Sequence, residues 1–190
     1  MKTTRILVGF AAAVCAGLGL HAVASDRQSH APYAGQQVRD IKSLSAQDVA
    51  ALRAGQGWGL AKSAELNGYP GPLHVLQLAD SLALSHRQRV QVRAIFDAMQ
   101  ASAKAVGQEY LAAERAVDRA FADGAATAQA ISRLTASAGR LRAKLRAVHL
   151  AAHIETTPLL TPHQRARYES LRGYAGKDGR GHQHQGTHKH

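Results

Sequence analysis

The sequence predicts an all-α fold built around a long antiparallel helical hairpin, and three observations support this. The 190 residues are 45% hydrophobic but only 5% aromatic, a composition typical of helices that pack through small side chains. Two long stretches carry apolar residues in alternating steps of three and four, the spacing of one helix face. Gly124 separates the two stretches, and glycine is the usual residue just after a helix end.

Residues 1–24 have the pattern of a cleavable signal peptide. Lys2 and Arg5 precede an uncharged apolar run, and small residues follow at positions 22–24. The run of about 15 residues is shorter than the ~20 that a membrane-spanning helix needs. We therefore expect cleavage after Ala24, a periplasmic location, and no membrane span in the mature chain. Cys15 is the only cysteine, so an internal disulfide and a cysteine-based zinc site are excluded.

A helical domain at 45–174, with its core at 73–174, is expected between two polar tails. Residues 25–44 show no hydrophobic period and predict a disordered arm, and the Gly- and His-rich residues 175–190 predict a disordered tail. Ser45 and Asp48 favour a short capped helix to about Ala54. Pro72 suits the first position of a further helix.

The two apolar stretches predict helices from Ser85 to about Ala122 and onward from the Gly124 turn to about Glu155. Gly107 and Gly139 lie inside them, and each indicates either a close backbone approach or a tolerated glycine. Two helices cannot bury their seams alone, so short helices and a second subunit are expected to cover the rest, giving a homodimer. The first seam is Val92, Phe96, Met99, Ala103, Val106, Tyr110, Ala113 and Val117; the second is Ile131, Leu134, Ala138, Leu141, Leu145, Val148 and Ala152.

One short motif occurs twice, as Leu-Ser-x-x-Gln at 84–88 and Leu-Thr-x-x-Gln at 160–164. A hydroxyl residue three positions before a glutamine forms a capping box, in which each side chain bonds to the other residue's backbone N–H. The motif therefore fixes where two helices begin, the second running to about Arg172. Its residues are Leu84, Ser85, Gln88, Leu160, Thr161 and Gln164.

These two copies around a helical hairpin resemble the LTxxQ family of periplasmic proteins, the Spy/CpxP group with its ZraP- and CnrX-type metal-resistance relatives. The resemblance covers roughly residues 73–174, and its only departure is Ser85 in place of threonine in the first copy. The resemblance implies a bent four-helix subunit that forms a dimer. Such a protein shields unfolded envelope proteins without ATP, or senses envelope or metal stress.

The formal charge of +11 indicates an anionic partner or surface. Export makes nucleic acid and ATP unsuitable partners, because a periplasm holds neither a chromosome nor ATP. The aliphatic part of an arginine side chain can extend an apolar surface while its guanidinium attracts acidic clients. The alternative is that these side chains simply keep a helix soluble. The candidate client-binding residues are Arg87, Arg89, Arg93, Arg140, Arg142, Lys144 and Arg146.

Histidines suggest metal binding as an alternative. His149 and His153 lie one helical turn apart, so both rings can reach one ion, and Asp97 is expected opposite His153 on the hairpin. The other interpretation is a pair of helix histidines bonded to carbonyls or water. The tail adds His182, His184, His188 and His190, which suit loose capture of Zn, Cu, Ni or Co.

The sequence therefore leaves two hypotheses open. The first is an ATP-independent, chaperone-like envelope-stress protein that binds unfolded proteins and requires no cofactor. The second is a periplasmic heavy-metal-binding resistance or sensor protein, and docking on the periplasmic domain of a membrane-bound sensor fits either. No enzyme is expected, because the chain has no GxSxG, P-loop, HExxH or dinucleotide-binding motif.

Overall fold

The computed structural model describes residues 31–175, and this part of the chain is all helical. Helices make up 68% of it, and it contains no strand. The predicted all-α fold class is therefore confirmed. In chain order the elements are α1 (Ala46–Ala54), α2 (Lys62–Glu65), α3 (Pro72–Gln77), α4 (His86–Ala122), α5 (Ala128–Thr156), a 3-10 turn (Thr157–Leu159) and α6 (Pro162–Leu171).

Within residues 31–175, no helix is both long enough and apolar enough to cross a membrane. The predicted signal peptide at 1–24 lies outside the described residues. The same is true of the predicted tail beyond residue 175.

Helices α4 and α5 form the predicted long hairpin. They contain 37 and 29 residues, which at 1.5 Å per residue corresponds to about 55 and 43 Å. Gly124 lies in the turn between them with φ at 66°, a left-handed conformation that glycine adopts without a steric cost. Thr127 then accepts a hydrogen bond from the Ala130 N–H and caps α5. The sequence thus predicted both long helices and the residue at which the chain reverses.

The first core lies where α1 and the loop before it pack against α4 and α5. Ala103, Val106 and Tyr110 of the first predicted seam are buried here, together with Ala138 and Leu145 of the second. The full set is Ile41, Leu44, Leu52, Leu60, Ala103, Val106, Tyr110, Leu111, Ala138 and Leu145.

The N-terminal boundary of the folded body differs from the prediction. Ile41 and Leu44 fall inside the stretch 25–44 that was expected to be a disordered arm, yet they are only 1% and 6% exposed. Their neighbours are polar, so the stretch shows no hydrophobic period, but two apolar side chains three residues apart are enough to anchor it. The arm therefore joins the first core before α1 begins.

The second core lies at the end of the hairpin away from the Gly124 turn, where α3, the start of α4 and α6 meet. Val92 of the first seam is fully buried in it. Leu84 and Leu160, the leading residues of the two motif copies, are each 5% exposed and belong to the same cluster. The full set is Val75, Ala79, Leu82, Leu84, Val92, Leu160 and Tyr168.

The two glycines inside the long helices have different surroundings. A Cβ on Gly107 would lie 2.6 Å from the Leu52 carbonyl oxygen, whereas a Cβ on Gly139 would meet nothing within 4 Å. Gly107 therefore permits the backbone of α1 to touch α4, and Gly139 is a tolerated glycine on an open surface.

Candidate functional site

Both predicted capping boxes are present. The Ser85 hydroxyl accepts from the Gln88 N–H at 3.2 Å, and the Ser85 N–H donates to Gln88 Oε1 at 2.9 Å. The Thr161 and Gln164 pair repeats these bonds at 3.2 and 2.9 Å. The two motifs therefore fix the starts of α4 and α6 as the sequence predicted.

The two boxes also bond to each other, which the sequence did not predict. Gln88 Nε2 donates to Gln164 Oε1 at 2.8 Å, and Gln164 Nε2 donates to Gln88 Oε1 at 3.2 Å. Gln88 Nε2 also donates to the Leu159 carbonyl, and Gln164 Nε2 to the Leu82 carbonyl. We call Ser85, Gln88, Thr161 and Gln164 the glutamine clasp. It joins two motif copies that are 76 residues apart in the chain.

A second buried polar group surrounds Glu65. The Tyr168 hydroxyl donates to Glu65 Oε1 at 2.5 Å, and the Gly71 N–H donates to Oε2 at 3.2 Å. Arg172 Nε lies 3.3 Å from Oε1 as an ion pair. Burial and the neighbouring Glu65 carboxylate raise the pKa of the Tyr168 hydroxyl. No local sequence pattern connects Glu65 with residues about a hundred positions away, so sequence reasoning missed this group.

The histidine pair lies beside this polar group. The Nδ1–H of His153 donates to the Tyr69 carbonyl at 2.7 Å, so the interpretation of a carbonyl-bonded histidine holds for this ring. His149 is only 2% exposed, and its Nε2 has no hydrogen-bond partner among the described residues. Burial, together with the nearby His153, lowers the pKa of the His149 imidazole. The buried environment therefore favours the neutral form of the His149 ring, whose Nε2 is unpaired.

Both histidines line one cavity of about 390 Å³. The aromatic rings of Trp58 and Phe96 and the side chain of Met99 form part of its wall. None of the residues that line it is Asp, Glu, Lys or Arg. The histidines thus face an uncharged, largely apolar space.

The predicted third metal ligand does not join the pair. Asp97 is exposed on α4, and residues 31–175 contain no group of three His, Cys, Asp or Glu side chains that could hold a metal ion. The tail histidines His182, His184, His188 and His190 lie outside the described residues. Metal binding by the pair or by the tail stays a prediction.

Five of the seven candidate client-binding side chains have partners within the fold. The Arg93 guanidinium lies 5.6 Å from the ring centre of Phe96, and that of Arg142 lies 5.6 Å from the ring centre of Trp58. Arg89 forms an ion pair with Asp80 at 2.8 Å. Lys144 pairs with Glu109 at 3.8 Å, and Arg146 donates to the Ser63 hydroxyl at 3.4 Å.

Arg87 and Arg140 are exposed and have no ion-pair or hydrogen-bond partner among residues 31–175. They are therefore the two candidates whose charges are fully available to another molecule. Client binding by these seven side chains stays a prediction.

A groove runs along the start of α4 beside α3. It measures about 370 Å³, with Leu76, Ala79 and Val90 as its apolar surface. His86, Arg89 and Arg93 line it as well and supply its basic edge. Val90 is 55% exposed, although it lies next to the second core. The seam pattern did not identify this groove, because Val90 lies outside the stripe that packs inward.

The paired capping boxes and the helical hairpin are features of a known protein family. The family model described as "LTXXQ motif family protein" matches residues 73–172, just over half of the chain. The chain belongs to the LTXXQ motif family. The matched segment begins in α3 and ends after α6, so it contains the glutamine clasp and the whole second core.

The family match includes neither α1, whose Leu52 belongs to the first core, nor α2. No curated protein and no solved structure gives a significant match to the chain. The assignment to the LTXXQ family therefore rests on residues 73–172, which contain both motif copies.

Proposed function

We propose that this LTXXQ protein is a periplasmic, ATP-independent chaperone-like protein that binds unfolded or partly folded exported proteins. Residues 1–24 would direct export. The role is one of reversible binding, without catalysis, and it fits the family to which the chain belongs. The observation that carries the proposal is the groove along α3 and α4.

The groove has the chemistry that weak, sequence-tolerant binding of unfolded chains requires. Val90 offers apolar surface to water, and Arg89 and Arg93 lie at the same opening. An exposed apolar patch among charges marks an interaction surface. Apolar side chains of a client would bury against Leu76 and Val90, while the basic edge would attract acidic segments.

The charge of the whole chain supports the same type of partner. The formal charge is +11, and Arg87, near Val90, has no partner within the described residues. Long-range attraction of this kind raises association rates and is screened by salt. Capture of acidic clients should therefore weaken as the ionic strength rises.

The test is suppression of aggregation when an acidic, urea-unfolded protein is diluted into buffer with the chain. Val90→Glu places a carboxylate in the groove, and we expect about fivefold weaker suppression, since losing a buried valine contact costs on the order of 1 kcal/mol. Val38→Glu is the matched control, because Val38 is 83% exposed and lies outside the groove. The control should behave like the wild type.

Two results would contradict this function. One is the absence of any suppression at a several-fold molar excess of the wild-type chain. The other is equal loss in Val90→Glu and Val38→Glu, which would assign the effect to net charge and not to the groove.

We propose a homodimer as the active form, and the periplasmic domain of a membrane-bound sensor as a further partner. A bundle of one hairpin leaves large apolar side chains such as Phe121 and Ile154 at 62% and 60% exposed. Light-scattering mass of the mature chain tests the dimer, and a pull-down with a purified sensor domain tests the second partner.

Transition-metal binding is the second candidate function, favoured by the position of His149 and His153 on one cavity. Burial lowers the pKa of the His149 imidazole, and the Nδ1–H of His153 is bonded to Tyr69, so Nε2 is the nitrogen of His153 that could bind an ion. Calorimetry with Zn, Cu, Ni and Co on a chain ending at residue 175 tests the pair. Complete loss of binding on truncation would assign any metal to the tail alone.

A further inference from the structure

A small pocket between α2 and α5 is lined by three basic side chains. Lys62 of α2 lies on one side of it, and Arg142 and Arg146 of α5 lie on the other, with Ser63 beside them. Its volume of about 200 Å³ is several times the ~30 Å³ that one water molecule occupies in the liquid. A group of the size of a phosphate therefore fits.

No acidic side chain of the described residues balances these three charges. None of the residues that line the pocket is Asp or Glu, and Lys62, Arg142 and Arg146 form no ion pair within residues 31–175. Arg142 and Arg146 are also one helical turn apart, and like charges at this spacing repel each other. A bound anion would offset this repulsion.

Trp58 holds Arg142 at the pocket. The Arg142 guanidinium lies over the Trp58 ring, 5.6 Å from its centre, a contact that positions the charge without neutralising it. The ring is fixed in turn, because its Nε1–H donates to Asp48 Oδ1 at 2.7 Å. Trp58 has φ at 44°, a left-handed value that is unusual for a bulky residue. Residues kept in such conformations by surrounding contacts concentrate at ligand sites.

Ser63 adds a neutral donor to the three cations. Arg146 Nη2 donates to Ser63 Oγ at 3.4 Å, so the serine oxygen accepts and the hydrogen of its hydroxyl stays available to a ligand. Guanidinium, ammonium and hydroxyl groups thus surround one opening. Charged donors that converge in this way bind oxyanions, and arginine binds phosphate through two parallel N–H groups.

We propose that this pocket binds a phosphate monoester, either on a small soluble molecule or on the head group of a lipid. Arg142 and Arg146 bond to the phosphate oxygens, Lys62 supplies the third positive charge, and the Ser63 hydroxyl donates to one oxygen. A phosphate monoester carries about −1.5 to −2 charges at pH 7, so it matches three cations better than a single carboxylate does. The site does not depend on the chaperone function or on the groove beside Val90.

The test compares glycerol phosphate, a soluble monoester, with succinate, which carries two carboxylates, at equal ionic strength. Trp58 lines the pocket and is the only tryptophan of the chain, so its fluorescence reports on binding directly. Broadening of the phosphorus NMR signal of glycerol phosphate gives a second readout. We expect saturable binding of glycerol phosphate, about fivefold tighter than that of succinate, because the phosphate group concentrates its charge and its acceptor oxygens at one point.

Arg146→Gln removes one charged donor from the pocket and should weaken glycerol phosphate binding about tenfold, the effect of one charge-assisted hydrogen bond. Arg133→Gln is the matched control, since Arg133 is an exposed residue of the same helix that lies outside the pocket. It makes the same change in net charge and should alter binding by less than twofold. Ser63→Ala should weaken binding about threefold. Thermal unfolding of each variant confirms that it is folded.

Three results would overturn the proposal: no saturable binding of glycerol phosphate, succinate binding of equal strength, or equal losses in Arg146→Gln and Arg133→Gln. Sedimentation with vesicles then distinguishes the two sources. Binding to phosphatidylcholine vesicles that contain phosphatidic acid, displaced by glycerol phosphate and lost in Arg146→Gln but not in Arg133→Gln, supports a lipid head group. Binding of glycerol phosphate without binding to these vesicles supports a soluble phosphate monoester.

Discussion

The first core is stabilised by apolar side chains and one close backbone contact. The second core is stabilised by apolar side chains together with buried polar side chains. In the first core, α1 lies against Gly107 through the Leu52 carbonyl, and the ion pair nearby, Lys42 with Asp118, is at the surface. In the second core, the Gln88 and Gln164 amides are bonded to each other. The same hairpin is thus stabilised in two ways along its length.

The difference matters because buried polar groups and apolar contacts respond differently to substitution. An apolar contact loses free energy in proportion to the area removed, whereas loss of one partner in a buried polar group leaves the others unsatisfied. The second core should therefore be the more sensitive of the two to single substitutions at polar positions.

The largest effect is expected for Gln164→Ala. Gln164 is 9% exposed, and its removal takes away the hydrogen-bond partner of the Leu82 carbonyl and of the Thr161 N–H. We expect a loss of about 3 kcal/mol in the free energy of unfolding. Urea denaturation measures it, with Gln129→Ala on the exposed face of α5 as the matched control. Equal effects of the two variants would contradict the clasp.

The first core is tested by a pair of glycine substitutions. Gly107→Ala places a Cβ 2.6 Å from the Leu52 carbonyl oxygen, so overpacking should outweigh the gain in helix propensity and cost about 1–2 kcal/mol net. Gly139→Ala meets open space and should stabilise the chain by about 0.5–1 kcal/mol. Thermal unfolding separates them, and a change of the same sign in both variants would contradict the close approach of α1.

His149 is expected to make stability depend on pH. Burial holds its pKa in the folded chain below the ordinary value of 6.5, so the unfolded chain binds more protons below that pH. Stability is then complete above pH 6.5 and declines as the pH falls, by at most about 1.4 kcal/mol per pH unit. His149→Leu should reduce this slope between pH 6.5 and 5, whereas His163→Leu should not. An unchanged slope in His149→Leu would show that the ring is not held neutral.

The smallest effect is expected at the surface of the first core. Lys42 pairs with Asp118 at 2.9 Å, with the lysine side chain 49% exposed. Lys42→Met should change the free energy of unfolding by no more than about 0.5 kcal/mol, and added salt should remove the difference. A loss comparable to that of Gln164→Ala would mean that the first core, too, depends on polar contacts.

Local patterns were sufficient to predict the helices but not the contacts between them. The spacing of Val92, Ala103 and Val106 predicted a buried face, and the two boxes predicted where α4 and α6 begin. Both signals act within one helical turn. The same reasoning could not choose between the two interpretations of Gly107, because the answer depends on Leu52, a residue of another helix.

The candidate site depended on longer-range contacts and was predicted only in part. The pairing of His149 and His153 on one helix face could be inferred, but the cavity beside them also requires Trp58 and Phe96 from two other segments. Asp97 was expected to approach the pair and instead lies exposed. Ile41 and Leu44 were missed because two apolar residues in a polar stretch carry no periodic signal.

The measurement that tests the glutamine clasp most directly is a double-mutant cycle on Gln88 and Gln164. Because each amide donates to the other, the loss in the double alanine variant should fall short of the sum of the single losses by about 1–2 kcal/mol. A parallel cycle on Gln129 and Gln164 should be additive. Additivity of the Gln88 and Gln164 effects within about 0.3 kcal/mol would show that the two motif copies cap their helices independently, and would contradict the clasp.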